Sequence, residues 1–205
     1  LTDDTEHPLN DEEKQEIIIA AVGDITLSFR FPPRQMKSPD YPFAKTRHIF
    51  EKADMSFANL EGVMSTKGKR MKKRWYFRGK PEHAECLKLG GIDIVSLANN
   101  HAMDFGYIGL QGTIEALELR GINYVGAGGN EKEAREPRIL EVKGNKIGFL
   151  AYSDKITDTV FAGKNKPGVA RLDLDDIAED VSGLKESADF VLVSYHWGIE
   201  GEHYP

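Results

Sequence analysis

Cysteine is almost missing from this chain, since Cys86 is the only one among 205 residues. A single thiol excludes an internal disulfide framework and any metal site built from several cysteines. Its surroundings, residues 84–89, are typical of a helix, so we interpret Cys86 as a small buried apolar residue. Long apolar runs are missing too. No segment approaches the roughly 20 residues that cross a membrane as a helix, and no signal-peptide pattern is visible.

Familiar phosphate and nucleophile motifs are also absent. The sequence has no Walker-type loop and no Gly-x-Ser-x-Gly turn. Residues 126–129 are glycine-rich and follow a predicted strand, but they lack the dinucleotide-binding fingerprint. Hydrophobic residues make up 40% and charged residues 29% of the chain, so the composition is that of a globular protein with a sizeable core.

Acidic residues are missing from one segment, residues 67–80, which we call the basic segment. It contains eight Lys or Arg residues, although the whole chain has a net charge of −6. A basic segment in an acidic chain is a candidate contact for an anionic polymer. A solvated loop is the alternative, and nucleic acid is not expected because no nucleic-acid-binding motif appears. The side chains assigned to polymer binding are Lys72, Lys73, Arg74 and Arg78.

Hydrophobic periodicity predicts strands that alternate with helices. Residues 1–15 are polar and lack an apolar period, so they are expected to form a flexible lead-in. Residues 16–205 predict one α/β domain with substantial parallel pairing, and a β-hairpin through Gly144 and Asn145 indicates a mixed sheet or two sheets. The hairpin strands are 137–143 and 146–152, other predicted strands are 16–23, 54–59, 93–98, 122–125 and 189–195, and predicted helices are 43–52, 81–89, 108–120 and 173–187.

Four of the predicted strands lead directly into residues that can bind a metal. The carboxyl ends of parallel strands meet at one edge of an open α/β sheet, where ligands bind. We therefore expect these polar residues to converge on one site. They are Asp24, then Asn59 and Glu61, then Asn99, Asn100 and His101, and finally His196.

Each motif also has an ordinary structural interpretation when it is taken alone. The first two are compatible with turns, and His196 is compatible with a buried core histidine. Asn99 and Asn100 are more informative, because two adjacent amides after a buried strand cost free energy unless they are engaged. Asp104 follows closely and is placed to orient His101 through one ring nitrogen.

The set combines carboxylate and amide oxygens with imidazole nitrogens. Such a mixture suits Mn, Fe, Zn or Mg better than a metal that prefers thiolates. A centre of two divalent ions would bind a phosphate or carbonyl oxygen and lower the pKa of a bridging water. The sequence therefore predicts a metal-dependent hydrolase or transferase, and the alternative is a module that binds a polyanion without catalysis.

Four blocks of the sequence resemble a known family. Taken together, they resemble the CapA family of bacterial capsule biosynthesis proteins, which is linked to poly-γ-glutamate synthesis. The resemblance extends from about residue 17 to the end of the chain. The blocks are Asn-Leu-Glu-Gly at 59–62, Ser-Leu-Ala-Asn-Asn-His-Ala-Met-Asp-Phe-Gly at 96–106, Val-Gly-Ala-Gly at 125–128 and His-Trp-Gly-Ile-Glu at 196–200.

The resemblance implies a calcineurin-like metallophosphatase domain, a four-layer αββα sandwich with two divalent ions, Mn, Fe or Zn. It implies Asp24 in the first metal motif and Glu61 in the second. The further implied ligands are Asn100 and His196. The catalytic or phosphate-facing residue is then His101, oriented by Asp104. The other residues assigned to substrate contact are Asn59, Asn99, Trp197 and Glu200.

The chain departs from the superfamily pattern at three places. Thr26 stands where an Asp-x-His motif has histidine, and residues 59–61 replace a Gly-Asp-x-x-Asp motif. No Gly-His-x-His motif occurs before Pro205, so we expect a domain that is incomplete at its C-terminus. The resemblance also implies a place on the extracellular face of the cell envelope, with a membrane anchor preceding Leu1. The implied partners are poly-γ-glutamate, an envelope precursor or membrane synthase subunits.

Overall fold

The computed structural model describes residues 16–28, 38–154, 159–199 and 202, so the predicted lead-in lies outside the described residues. The strands are β1 (Ile19–Ile25), β2 (Met55–Leu60), β3 (Val63–Met64), β4 (Arg78–Gly79), β5 (Ile94–Ser96), β6 (Asn123–Val125), β7 (Ala127–Gly128), β8 (Arg138–Val142), β9 (Asn145–Ser153), β10 (Gly168–Val169) and β11 (Phe190–His196). The helices are α1 (Arg47–Phe50), α2 (Ala84–Gly90), α3 (Gly106–Glu118), α4 (Glu131–Arg135) and α5 (Leu174–Leu184), and 3-10 turns cover Tyr41–Phe43 and Pro81–His83.

Two sheets carry the fold. The first has the order β1-β2-β5-β6 and is parallel throughout. The second has the order β11-β9-β8, with β11 parallel and β8 antiparallel to β9. The β8–β9 pair is the predicted hairpin, although its turn is Lys143 and Gly144, at φ 49° and 75°. Two positive φ values match the twist that tight hairpins require. Short ribbons β3–β4 and β7–β10 flank the sheets.

Successive side chains of the buried strands pack into different layers on the two faces of the sheet. Met55 and Phe57 of β2 face the second sheet, where the Phe57 ring stacks on Phe149 with centroids 6.0 Å apart. Successive strand residues point to opposite faces, so Ala58 and Leu60 belong to a different cluster on the other side of the sheet. Both faces of the central strands are therefore buried, which explains their near-continuous apolar sequences.

Helices cover the outer face of each sheet. Leu87 of α2 and Leu117 of α3 pack in one cluster with Val95 of the first sheet. Ile177 of α5 packs in another with Leu150 of the second sheet, and α4 contributes to the same cluster. The order helix, sheet, sheet, helix is the four-layer αββα sandwich that the family resemblance implies.

The predicted helix at 43–52 is wrong in extent. Two short turns stand there instead, Tyr41–Phe43 and α1, and Phe43 and Phe50 are their buried residues. The two rings meet edge to face with centroids 6.4 Å apart. Because each turn reaches the core through one ring, no continuous apolar face forms that would favour a longer helix.

Helix α2 agrees with the sequence. Cys86 is buried within it, as predicted, and burial raises the pKa of its thiol. The helix stops where Gly91 adopts φ 83°, a left-handed conformation that glycine favours. Among the helices of the described residues, none combines the length and apolar character of a membrane-crossing segment.

Strand register places the polar ends together. Asn59 pairs with Asp24 on one side and with Ser96 on the other. His196 ends β11 and lies an even number of residues after Leu192, which packs between the sheets. Residues at even spacing share a strand face, so His196 turns toward the first sheet. The polar residues therefore meet at the carboxyl edge of the sandwich.

Candidate functional site

Four of the predicted site residues form one connected chain of contacts. Asn59 Nδ2 donates to Asp24 Oδ1 at 2.7 Å and lies 3.3 Å from His196 Nδ1. On the other side of the ring, His196 Nε2 lies 3.2 Å from Asn100 Oδ1. Because an amide nitrogen is a donor and an amide oxygen an acceptor, His196 accepts at Nδ1 and donates at Nε2. The two sheets thus share one polar network.

Asn99 fixes the orientation of the amides in this network. Its Oδ1 accepts from the backbone N–H of His101 at 3.0 Å, which leaves its NH2 group as the donor to Asn59 Oδ1 at 3.0 Å and to Leu60 O at 2.9 Å. Asn59 must then turn its own NH2 group toward Asp24. Asn99, which the sequence assigned to substrate contact, is 1% exposed and fully engaged within the protein.

His101 and Asp104 form a buried pair, as their spacing predicts. His101 Nδ1 lies 2.8 Å from Asp104 Oδ2, and the carboxylate can only accept, so Nδ1 carries the proton. His101 Nε2 then faces Glu61, whose Oε1 is 3.7 Å away. The Phe77 ring covers the imidazole with centroids 4.1 Å apart. The pair therefore presents one ring nitrogen toward the site and holds the other fixed.

The environment of His196 favours a neutral ring. Burial lowers the pKa of His196, and nearby His101 acts in the same direction, whereas the Asp24 carboxylate opposes both. A neutral imidazole is the form that binds metal ions. Asp24 itself is about half exposed, with a side-chain exposure of 53%, so the site opens to solvent beside β1.

The donor atoms also fit a cation in their spacing and type. Two ligands that each lie about 2.0–2.2 Å from one ion are themselves roughly 3 Å or slightly more apart, and the separation of 3.2 Å between His196 Nε2 and Asn100 Oδ1 matches this spacing. An ion bound there would displace the proton that Nε2 donates to Asn100. Within the described ranges, no three His, Cys, Asp or Glu side chains form a ligand group by themselves, so a cation at this site would need an amide oxygen as a further ligand. Thr26 Oγ1 is buried without a hydrogen-bond partner and borders the same small cavity as Glu61.

The basic segment is divided between the protein interior and the surface. Lys73 is buried, and Arg78 donates to the carbonyl oxygens of Ser65 and Lys67 at 2.5 and 2.7 Å. Both side chains are therefore hydrogen-bonded to acceptors of the protein itself, and Arg78 remains partly exposed. Lys72 and Arg74 are exposed.

Trp197 and Glu200 are the remaining residues assigned to substrate contact. Trp197 is 61% exposed, immediately after the strand that carries His196. Glu200 lies outside the described residues. The sequence does not predict the covering of His101 by Phe77 or the amide orientation that Asn99 sets. No local pattern marks either, because both contacts join segments distant in sequence.

The family model described as "Bacterial capsule synthesis protein PGA_cap" matches residues 18–205. The chain belongs to this family. It is 27% identical over 212 residues to "Capsule biosynthesis protein CapA" of Bacillus anthracis, an alignment that covers 97% of this chain and 50% of that protein. It is 30% identical over 189 residues to "PGA biosynthesis protein CapA" of Bacillus subtilis, covering 90% and 50%. The predicted CapA resemblance is confirmed, and the chain spans about half the length of these curated relatives.

The fold also has a counterpart among solved structures. A Staphylococcus aureus protein described as a candidate 5'-nucleotidase, solved in complex with alpha-ketoglutarate, matches with a TM-score of 0.54. The match covers 91% of this chain and 38% of that protein at 16% sequence identity. At this identity the likeness concerns the fold alone, and it agrees with the metallophosphatase-type sandwich that the family resemblance implies.

Proposed function

We propose that this chain is the metallophosphatase-like part of a capsule or poly-γ-glutamate biosynthesis protein, and that its site performs metal-dependent hydrolysis or group transfer. The bond attacked would be a phosphoester or an amide in a cell-envelope polymer or its precursor, at the extracellular face of the envelope. The observation that carries the proposal is the contact chain from Asp24 through Asn59 and His196 to Asn100. Ordinary turn chemistry does not explain why three strands and one loop direct such groups to one point.

Four side chains would hold one or two divalent ions, Mn, Fe or Zn. They offer carboxylate oxygens from Asp24 and Glu61, the amide oxygen of Asn100 and an imidazole nitrogen of His196. When bound, such ions supply Lewis-acid chemistry, which polarises a phosphoryl or carbonyl oxygen and makes bound water acidic. The Asn59 NH2 group hydrogen-bonds Asp24 and so fixes the carboxylate that would hold the ion.

His101 is suited to moving a proton at Nε2. Asp104 holds the proton at Nδ1, so Nε2 is the basic atom and points toward Glu61. Burial of both side chains excludes water from the far side of the ring. The pair would give a proton to a leaving group or take one from a nucleophile, as general acid–base catalysis requires.

Calorimetry with Mn²⁺ and Zn²⁺ on the full-length protein tests the metal site. We expect binding by the wild type and a loss of about 10-fold or more in affinity for Asn100→Ala or His196→Gln. His48→Gln is the matched control, because His48 is exposed on α1 and is not one of the proposed ligands. Failure of the wild type to bind Mn²⁺, Zn²⁺ and Fe²⁺ would contradict the proposal.

A second candidate function is binding of an anionic polymer without catalysis. The exposed side chains of Lys72 and Arg74 favour it, and Arg74 lies 5.3 Å from the ring of Trp75, which is itself 45% exposed. Cations beside an aromatic face can contact both the carboxylates and the aliphatic parts of poly-γ-glutamate.

Binding of poly-γ-glutamate at low and high salt tests the second function. We expect binding that weakens as salt rises and that falls in the double variant Lys72→Gln, Arg74→Gln. The double variant Lys45→Gln, Lys52→Gln removes the same charge from another exposed surface and serves as the control. Equal binding by both double variants would exclude the basic segment as the contact.

A further inference from the structure

One lysine of the basic segment is placed differently from its neighbours. The side chain of Lys73 is 5% exposed, whereas Lys72 and Arg74 on either side are exposed. A buried ammonium group requires compensation by an opposite charge and by hydrogen bonds. The position of Lys73 therefore has to be explained by what its Nζ contacts.

The two acceptors of Lys73 lie on either side of His101 in the sequence. Nζ donates to Asp104 Oδ1 at 2.6 Å and to the backbone carbonyl oxygen of Asn100 at 2.8 Å. Asp104 orients the His101 ring, and the Asn100 carbonyl belongs to the peptide bond that precedes His101. One ammonium group thus holds both the backbone and the carboxylate that set the position of the imidazole.

The rest of this stretch encloses the same aspartate. Residues 71–77, which we call the strap, bring the backbone N–H of Met71 to Asp104 O at 2.8 Å and the N–H of Phe77 to Asp104 Oδ2 at 2.6 Å. The Phe77 ring then covers His101. Asp104 is 0% exposed, and each of its carboxylate oxygens is engaged. The strap therefore contacts the buried pair through backbone, charge and ring.

We propose that Lys73 is a positioning residue that fixes His101 through Asp104 and the Asn100 peptide, so that the strap is part of the catalytic site. Because side chains that orient ligand-bearing or catalytic groups are hydrogen-bonded in turn, a cation at this point completes the support of His101. That this site is catalytic rests on the proposed function, whereas the positioning of His101 by Lys73 is measurable without any activity.

Hydrogen–deuterium exchange at the C2 position of individual histidines, followed by mass spectrometry of the full-length protein, tests the positioning. In Lys73→Met we expect His101 to exchange about tenfold faster or more, because loss of the buried ion pair lets the loop open locally. Lys72→Met removes the same charge one residue away and should leave His101 unchanged, with His48 as the internal reference. A folded Lys73→Met protein whose His101 exchanges at the wild-type rate would overturn the proposal, even if it melted earlier.

A charge-retaining variant and backbone amide exchange in the strap test the same role of Lys73. If Lys73→Met does not fold, the variant Lys73→Arg replaces it, because it retains the charge and should keep His101 protected from exchange. In the wild type, we also expect slow exchange of the backbone amides of Met71 and Phe77. Fast exchange at those amides, or an unprotected His101 in folded Lys73→Arg, would refute the role of the strap in holding His101.

Hydrolysis of bis(p-nitrophenyl) phosphate with Mn²⁺ should fall about 10- to 100-fold in Lys73→Met. A wild type inactive on this probe would count against the proposed hydrolysis alone, and the exchange data would still decide the role of Lys73.

Discussion

The amide of Asn99 donates to Asn59 Oδ1 at 3.0 Å, and this contact decides which group Asn59 turns toward the site. The backbone N–H of His101 anchors the sequence of hydrogen bonds, because it can only donate to Asn99 Oδ1. The Asn59 NH2 group consequently faces Asp24, where a carbonyl oxygen would repel the carboxylate. Asn99 therefore sets the polarity of the site from a position that solvent hardly reaches.

Asn99→Asp should disturb the site without changing the size of the side chain. An oxygen would then face Asn59 Oδ1 and Leu60 O, and two buried acceptors would lose their donor. We expect a loss of about 1–3 kcal/mol in the free energy of unfolding, measured with urea. Metal affinity should fall as well, because Asn59 would rotate and present its oxygen to Asp24.

Asn145→Asp is the control for that comparison. Asn145 lies at the start of β9, and its amide contacts only the nearby Lys143 O at 3.1 Å among the hydrogen bonds described. We expect its effect to stay within about 0.5 kcal/mol. Equal unfolding free energies for both variants would mean that Asn99 does not set the amide orientation.

The lowered pKa of His196 predicts how stability depends on pH in the metal-free protein. The folded-state pKa lies below the unfolded value of about 6.5, so between the two values the unfolded chain binds more protons. Stability from this group is therefore complete above about pH 6.5 and is lost as the pH falls toward the folded-state pKa. Urea unfolding between pH 5 and 8 in EDTA should show a flatter dependence for His196→Gln. An unchanged slope in that variant would assign the dependence to other groups.

Tyr152 links the second sheet to its covering helices. The Tyr152 side chain is fully buried, and its hydroxyl donates to Asp180 Oδ2 at 2.7 Å, while Arg135 binds the same carboxylate through two nitrogens at 2.8 Å. Burial and the Asp180 contact both raise the pKa of Tyr152 far above its usual range. Tyr152→Phe should lower the free energy of unfolding by about 0.5–1.5 kcal/mol. Tyr195→Phe removes a hydroxyl from a stacked ring that is 45% exposed, and its effect should be smaller.

Strand alternation and parallel pairing explain why so much of the site follows from the sequence. Asp24 and Asn59 follow apolar runs and lie at the carboxyl ends of neighbouring parallel strands, which necessarily share one edge of their sheet. His196 also ends an apolar run, but it belongs to the second sheet and reaches Asn59 across the sandwich. The pairing of His101 with Asp104 follows from their separation by three residues. These placements depend on local patterns, which the sequence displays directly.

Contacts of the basic segment do not follow from such patterns. Lys73 and Lys72 are chemically identical, and it is Lys73 whose ammonium group binds the Asp104 carboxylate and the Asn100 carbonyl oxygen of a loop distant in sequence. Arg78 is likewise fixed by backbone carbonyl oxygens and by the Phe105 ring, 4.0 Å from its guanidinium carbon. Periodicity gives little information in a segment whose only described regular element is the two-residue strand β4, so the sequence allows only its charge to be interpreted.

Two helical glycines, Gly112 inside α3 and Gly183 in the last turn of α5, should respond in opposite directions to alanine. A Cβ on Gly112 of α3 would lie 2.8 Å from Ser65 Cβ, so the helix could not keep its close approach to the residue that follows β3. Gly112→Ala should therefore lower the free energy of unfolding by about 1–3 kcal/mol. At Gly183 of α5 a Cβ would meet nothing within 4 Å, and Gly183→Ala should raise it by about 0.5–1 kcal/mol. Urea unfolding of the two variants checks the contrast, and a stabilising Gly112→Ala would show that α3 does not pack against Ser65 this closely.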